Sequence, residues 1–176
     1  MALKIPLRWL NDFVDYTATP DQLTETLTIA GLEVDGVDVI GEFWNPETLV
    51  VAEIQKVEPH PDADSLCLAT IGYGKDQSLV VVTGAPNISA MIGNVPTPCP
   101  KIPLALVGAQ VIDAYSEEYK LKKLKPSKIR GIPSEGMACS EKELGLSEEH
   151  EGVLILPEDA SVGSPLSEYL GETVLH

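Results

Sequence analysis

The amino-acid sequence predicts a mainly β protein with α+β flanks, in which a five-stranded barrel is inserted into a small split domain made by both chain ends. Three observations carry this expectation. Five segments read as short strands joined by Gly-, Pro- and Asn-rich connections. The better-marked helical patterns lie towards the two ends. The character of the chain changes at Gly41–Pro46 and again at Pro157, which predicts a split domain over 1–40 plus 157–176 around a barrel over 41–156.

The elements follow in order. Leu10, Phe13 and Val14 fall at i, i+3 and i+4, one face of a short helix that Pro6 can begin. Thr19 is an N-cap, Pro20 suits the first turn, and Gln22 stands where a capping box needs a side-chain acceptor. Leu23, Leu27 and Ala30 continue that helix to Gly31, and Glu33–Ile40 alternates like a half-buried strand. The barrel strands are expected at Leu49–Val57, Ser65–Ile71, Ser78–Thr83, Ile102–Val111 and Ile129–Met137. Gly72-Tyr-Gly74 and Asp76 mark a hairpin between the second and third, and Ala85–Pro100 is a loop crossing between hairpins. Five strands so joined predict a small closed barrel, of which the OB-fold is the common binding form. Glu141–Leu146 reads as a helical turn, Gly152–Leu156 as a further short strand, and Pro165–Leu170 as a helix stopped by Gly171.

The totals narrow the function classes. With 176 residues, 44% hydrophobic and 22% charged, the chain is an ordinary globular sequence. Only 5% of residues are aromatic, too few for a continuous base-stacking platform. A formal net charge of −15 argues against a broad duplex-binding surface. Cys67, Cys99 and Cys139 are widely spaced without a C-x-x-C pair, which predicts unpaired thiols in a reducing compartment. No apolar run reaches the roughly 18 residues of a membrane span, and the N-terminus does not read as a signal peptide. The expectation is a cytoplasmic protein with no membrane partner and no DNA partner.

Against that acidic background one strip stands out. Lys120, Lys122, Lys123, Lys125, Lys128 and Arg130 make up six of the 12 Lys+Arg, and no carboxylate occurs from Tyr119 to Ser134. Exposed charges act mainly within a Debye length of about 8–10 Å, so such a strip attracts a polyanion locally whatever the net charge. Lysines engage phosphates as point charges, and Arg130 can fork onto one. The plainer reading is a solvated hairpin arm. The strip runs into Ile132-Pro-Ser-Glu-Gly-Met-Ala-Cys-Ser140, where hydroxyls at Ser134 and Ser140 can donate to phosphate or ribose and Met137 can pack on a base. The plainer reading there is a tight turn at the barrel rim with Met137 in the core. Asn87 is read chiefly as a turn former and secondarily as a contact.

Other constellations point nowhere. Ser134 lies close to a G-x-S-x-G pattern, but Ile132 holds the first glycine position and a barrel offers no strand-to-helix elbow. His60, Asp62 and Asp64 sit between prolines in an extended turn, where the carboxylates are expected on backbone amides rather than on a metal. No P-loop or dinucleotide fingerprint is present. Neither a catalytic residue nor a metal ligand is expected.

Two blocks, Val51–Leu66 and Val82-Thr-Gly-Ala-Pro-Asn87, together with Ser134–Leu146, resemble the tRNA-binding OB module found attached to several synthetases and also free-standing. Lys4-Ile-Pro-Leu-Arg-Trp-Leu10 and Ala30-Gly-Leu-Glu-Val-Asp35 resemble the start of bacterial phenylalanyl-tRNA synthetase beta subunits, so the resemblance runs over essentially the whole chain. It implies an N-terminal piece of a longer subunit, with the barrel inserted into a first domain whose second half follows it. It also implies tRNA(Phe) as ligand and an alpha subunit as partner in an alpha2-beta2 enzyme. ATP and magnesium would then serve the parent complex, with no cofactor in this region. The resemblance places Ser134, Met137 and Ser140 near the RNA face. The acidic balance and the Lys120–Arg130 strip are not part of the general module pattern.

Overall fold

A computed structural model describes residues 3–116 and 118–176, and it divides the chain into two compact units. The first comprises residues up to Glu42 with Leu170–His176, and the second Phe43–Tyr169. In chain order the elements begin with β1 (Ile5–Pro6), α1 (Leu7–Asn11), α2 (Pro20–Ile29) and β2 (Val37–Ile40). The barrel unit follows with β3 (Leu49–Pro59), β4 (Cys67–Gly74), β5 (Gln77–Thr83), α3 (Pro86–Ser89), β6 (Lys101–Leu106) and β7 (Gln110–Ile112). It continues through β8 (Leu121–Lys123), β9 (Ser127–Ile129), β10 (Ile132–Ser134), β11 (Gly136–Ala138) and α4 (Glu141–Leu144). The chain closes with α5 (Leu166–Leu170) and β12 (Glu172–Leu175). Among the described residues no helix is long and apolar enough to cross a membrane.

In the first unit both chain ends share one antiparallel sheet of order β1-β12-β2. β12 lies between the two N-terminal strands, pairing Ile5 with Leu175 on one side and Val37 with Leu175 on the other. The capping box of α2 is formed: Thr19 accepts from the Gln22 amide at 3.3 Å and Gln22 Oε1 accepts from the Thr19 amide at 3.0 Å. Gly31, with φ 91°, ends that helix at no Cβ cost. Two expectations are corrected. α1 stops at Asn11, leaving Phe13 69% exposed with its ring edge-on to Trp9 at 4.9 Å. β2 starts only at Val37, because β12 reaches no further than Leu175, and the amides of Asp35 and Gly36 donate to the His176 carbonyl instead.

In the second unit five strands form one antiparallel sheet of order β11-β6-β3-β4-β5. β3 serves both neighbours: Leu49–Glu53 pair with β6 and Glu53–Pro59 with β4, and the register shifts between Ile54 and Lys56. Such an irregularity bends the strand and sharpens its twist, which a small closed sheet requires. The sheet then nearly closes on itself through the segment between β10 and β11. The Glu135 amide donates to the Val80 carbonyl at 3.1 Å, and the Ser134 hydroxyl accepts from the Val82 amide at 3.1 Å. Strand order and closure are those of an OB-like barrel, as the spacing predicts. Ile54, Ile71, Ile102 and Leu104 fill its interior without measurable exposure, and Ile88 of α3 is buried in the same core.

Several boundaries differ from the sequence expectation. Gly108, with φ 98°, breaks Ile102–Val111 into β6 and β7. Arg130 and Gly131, at φ 47° and 89°, turn the chain between β9 and β10, so Ile129–Met137 is not one strand. Residues 152–156 form no strand beyond a single bridge from Leu156 to Lys101. Residues 157–169 belong with the barrel rather than with the chain ends. The Val51 amide donates to Ser164 O at 2.9 Å and Gly163 N to Val51 O at 2.8 Å, while Lys101 Nζ donates to the carbonyls of Glu158 and Ala160. The physical reason is the edge of β3: β4 pairs only from Glu53 onward, and an open strand edge must be covered.

Cys67 and Cys139 are fully buried, Cys99 is partly exposed, and all three are free thiols. Burial pushes the Cys139 thiol well above its ordinary range, with the nearby Glu143 carboxylate adding to the shift, and burial likewise raises Cys67. The thiolate is the reactive form. Titration of the native protein with an aromatic disulfide reagent near neutral pH should therefore release about one fast equivalent, from Cys99, with the other two appearing on unfolding. Three fast equivalents would contradict the packing.

Candidate nucleic-acid interface

The chain after β6 leaves the barrel twice before it returns as β11. Gln110–Ile112 pair with Lys123–Leu121, and Ser127–Ile129 pair with Ser134–Ile132 around the Arg130-Gly131 turn. Two central residues with φ above zero make a type I′-like connection whose twist suits a two-residue hairpin loop. Arginine is an unusual occupant, since a non-glycine residue in the left-handed region costs roughly 1–2 kcal/mol. This arm borders a groove of about 700 Å³ whose remaining walls come from Val82–Pro86, β11, α4 and residues 150–153.

The strip of cations does not act as one surface. Lys122, Leu124, Ser127 and Ile129 line the groove, whereas Leu121, Lys123, Lys125 and Lys128 do not and are exposed. In the paired part of the arm this is the two-residue alternation of a strand. Lys122 is further distinguished by an ion pair with Asp113 at 3.1 Å, which together with the Tyr115 amide holds the Asp113 carboxyl below its usual range. Among the described residues no ion pair engages Lys120, Lys123, Lys125, Lys128 or Arg130, and all five are exposed.

The groove also takes Ser134, Met137 and Ser140 from one seven-residue stretch. Both hydroxyls are committed. Ser134 is 5% exposed, accepts from Val82 N and donates to the Gly136 carbonyl at 3.1 Å. Ser140, 4% exposed, caps α4: its hydroxyl donates to Glu143 Oε2 at 3.0 Å and accepts from the Glu143 amide, while its own amide donates to Glu143 Oε2 at 2.8 Å. Met137 is half-buried on the groove wall rather than sealed in the core. Asn87 is spent on a staple, its Nδ2 donating to Val153 O at 2.8 Å and its Oδ1 accepting from Val153 N at 3.1 Å. In the Pro59–Pro61 turn it is His60, not a carboxylate, that bonds the backbone: its Nδ1 accepts from the Asp62 amide at 3.1 Å. Among the described residues no cluster of three or more His, Cys, Asp or Glu could hold a metal.

Several groove residues escaped the sequence reading, among them Tyr115, Leu124 and Ile129. The last two alternate with the lysines in Lys122–Arg130, and that alternation was the available signal. Tyr115, 90% exposed at the mouth of the groove, had no such signal.

An OB-like barrel with a polar–apolar groove and a cationic arm along its rim has the layout of a binding module. The family described as "Putative tRNA binding domain" matches residues 49–104 and 101–165, and the chain belongs to that family. It is 44% identical over 98% of its length to the phenylalanine–tRNA ligase beta subunit of Dehalococcoides mccartyi, and 42% identical over 96% to that of Syntrophus aciditrophicus. The chain spans about a fifth of the length of these curated relatives, 20% and 19%. Among solved structures, a MetRS related protein from Pyrococcus horikoshii aligns with 67% of this chain and 87% of its own, at 20% identity and a TM-score of 0.40.

Proposed function

We propose that this chain is the non-catalytic, tRNA-binding N-terminal region of a phenylalanine–tRNA ligase beta subunit. The observation that carries the reading is the similarity to those subunits over 98% of the chain, beyond the barrel alone. In this reading the region holds tRNA(Phe) while a cytoplasmic heteromer with alpha subunits, an alpha2-beta2 assembly, attaches phenylalanine at the expense of ATP. ATP and Mg2+ serve the parent complex, and this region uses neither. Exposed Lys123, Lys125, Lys128 and Arg130 supply the phosphate contacts: they lie outside the groove, make no ion pair among the described residues and, unlike Lys120, are not among the cations acting on the Asp113 carboxylate.

A second reading has its own support. Ser134, Ser140 and Asn87 all spend their polar atoms inside the fold, and the chain carries a net charge of −15. Both fit a structural element that stabilises the subunit assembly with little RNA contact. Salt separates the two, since each neutralised phosphate contributes about 0.7–0.9 to the log–log slope of affinity against salt. Titration of the chain with tRNA(Phe) at several salt concentrations should give a slope of roughly −3 to −4 for about four contacts. A flat response would leave only the scaffold.

A further inference from the structure

We infer that the groove seats the base of one unpaired nucleotide of the bound RNA, while the cations on the outside of the arm hold the flanking phosphates. The inference rests on the reading that the chain binds RNA and says how that same site divides its work.

The groove is built badly for a phosphate. Its two buried serine hydroxyls are bonded within the fold, and its lysine, Lys122, already faces Asp113 at 3.1 Å. Glu143 and Glu151 add negative charge to the lining. A phosphate placed inside would lose water without gaining a free donor among these side chains, and burying an unpaired charge is costly. What the groove offers is apolar surface: half-buried Leu124, Ile129 and Met137, with the 90% exposed ring of Tyr115 at the mouth. A base suits such a lining because it has flat faces that stack on aromatic or thioether groups and carries no charge.

The attraction for phosphate sits next door. Lys123 neighbours the groove residues Lys122 and Leu124 in sequence, and Lys128 stands between Ser127 and Ile129, yet neither lines the groove. Alternation thus gives one short arm a base-facing side and a phosphate-facing side. A paired RNA stem can meet the cationic side through its backbone. It cannot fill the groove, because its bases are stacked and its deep major groove is closed to side chains. Only an unstacked nucleotide meets both sides together, and the groove volume of about 700 Å³ is of small-ligand size.

The test compares two RNA hairpins that differ by a single bulged 2-aminopurine, titrated into the 176-residue chain and into Tyr115→Ala and Leu124→Ala variants, singly and combined. Tyr115 is exposed enough for its removal to leave the fold intact, and circular dichroism checks the Leu124 change. The bulged hairpin should bind about tenfold or more tightly than the paired one, with 2-aminopurine emission falling on binding. The double variant should lose that preference, by roughly 5- to 100-fold, while its salt slope stays unchanged, since no phosphate contact is removed. Equal affinity of the wild-type chain for the two hairpins, both salt-dependent, would overturn the base seat and leave RNA binding standing. Salt-independent or absent binding of both would overturn the two readings together.

Discussion

Replacing Lys123, Lys125 and Lys128 together by alanine should reduce the salt slope of tRNA binding by about 2–3, taking 0.7–0.9 per phosphate contact. At 0.1 M salt the same three contacts correspond to roughly two orders of magnitude in affinity. The three side chains are exposed and make no ion pair among the described residues, so their removal should change stability by no more than about 0.5 kcal/mol. Adding Lys122→Ala should change the slope little further, because Asp113 already neutralises that lysine. Affinity measured at four or more salt concentrations, for the triple and quadruple variants side by side, distinguishes the contributions. A triple variant with the wild-type slope would remove the arm from the RNA contact and favour the scaffold. A large additional loss from Lys122 would mean that the Asp113 pair opens on binding.

The second large effect concerns the seam of the barrel. A Cβ at Gly136 would stand 2.9 Å from the Ala105 carbonyl oxygen, with Leu104 Cδ1 at 3.3 Å. The closest atom is backbone in the facing strand, so β11 would have to move away from β6, with which it is paired at Leu106, Ala105 and Leu104. Gly136→Ala should therefore destabilise the protein by about 1–3 kcal/mol, the usual scale for overpacking, and Gly136→Val by more. The strain also reaches the neighbouring Ser134 bonds to Val82 and Gly136, which hold the opposite side of the seam. Urea unfolding of Gly136→Ala, set beside Gly131→Ala in the exposed hairpin turn, measures it. At Gly131 nothing lies within 4 Å of a Cβ, and only its φ of 89° is at stake. Equal or greater stability of the Gly136 variant would mean that the strands do not approach as closely as described.

Such a seam could not be read in advance. Ser134 looked like a free hydroxyl beside a cationic strip, because its local sequence is a turn of small residues. Its bond to Gly136 is local, two residues on, but its bond to Val82 forms only after segments 52 residues apart have been brought together. Ser140 is a milder case: the Ser140–Glu143 capping box is local and was open to the rule that exposed Thr19–Gln22. Asn87 had no local signal, since its partner Val153 lies 66 residues away. The cation strip was legible as composition but not as geometry. Six charges in eleven residues are evident from the sequence, whereas their separation into one groove-lining lysine and exposed neighbours needed the arm's pairing and the Asp113 contact.

Features that depend on short-range chemistry were legible in the sequence. It marked the capped helix from Thr19 to Gly31, the alternating apolar strands, the turn residues, and the concentration of positive charge on an acidic chain. Those signals act within a few residues, through backbone hydrogen bonds, φ preferences and side-chain period, and they sufficed for an OB-like barrel. Where strands end and which polar atoms remain free depended instead on long-range packing. Gly108 and the Arg130-Gly131 turn break segments whose hydrophobicity alone reads as continuous. Residues 157–169 join the barrel because an unpaired edge of β3 needs hydrogen-bond partners, a demand that arises only once β4 and β6 have docked. The candidate interface was decided the same way: a hydroxyl or amide is available to a ligand only if the fold has not already claimed it.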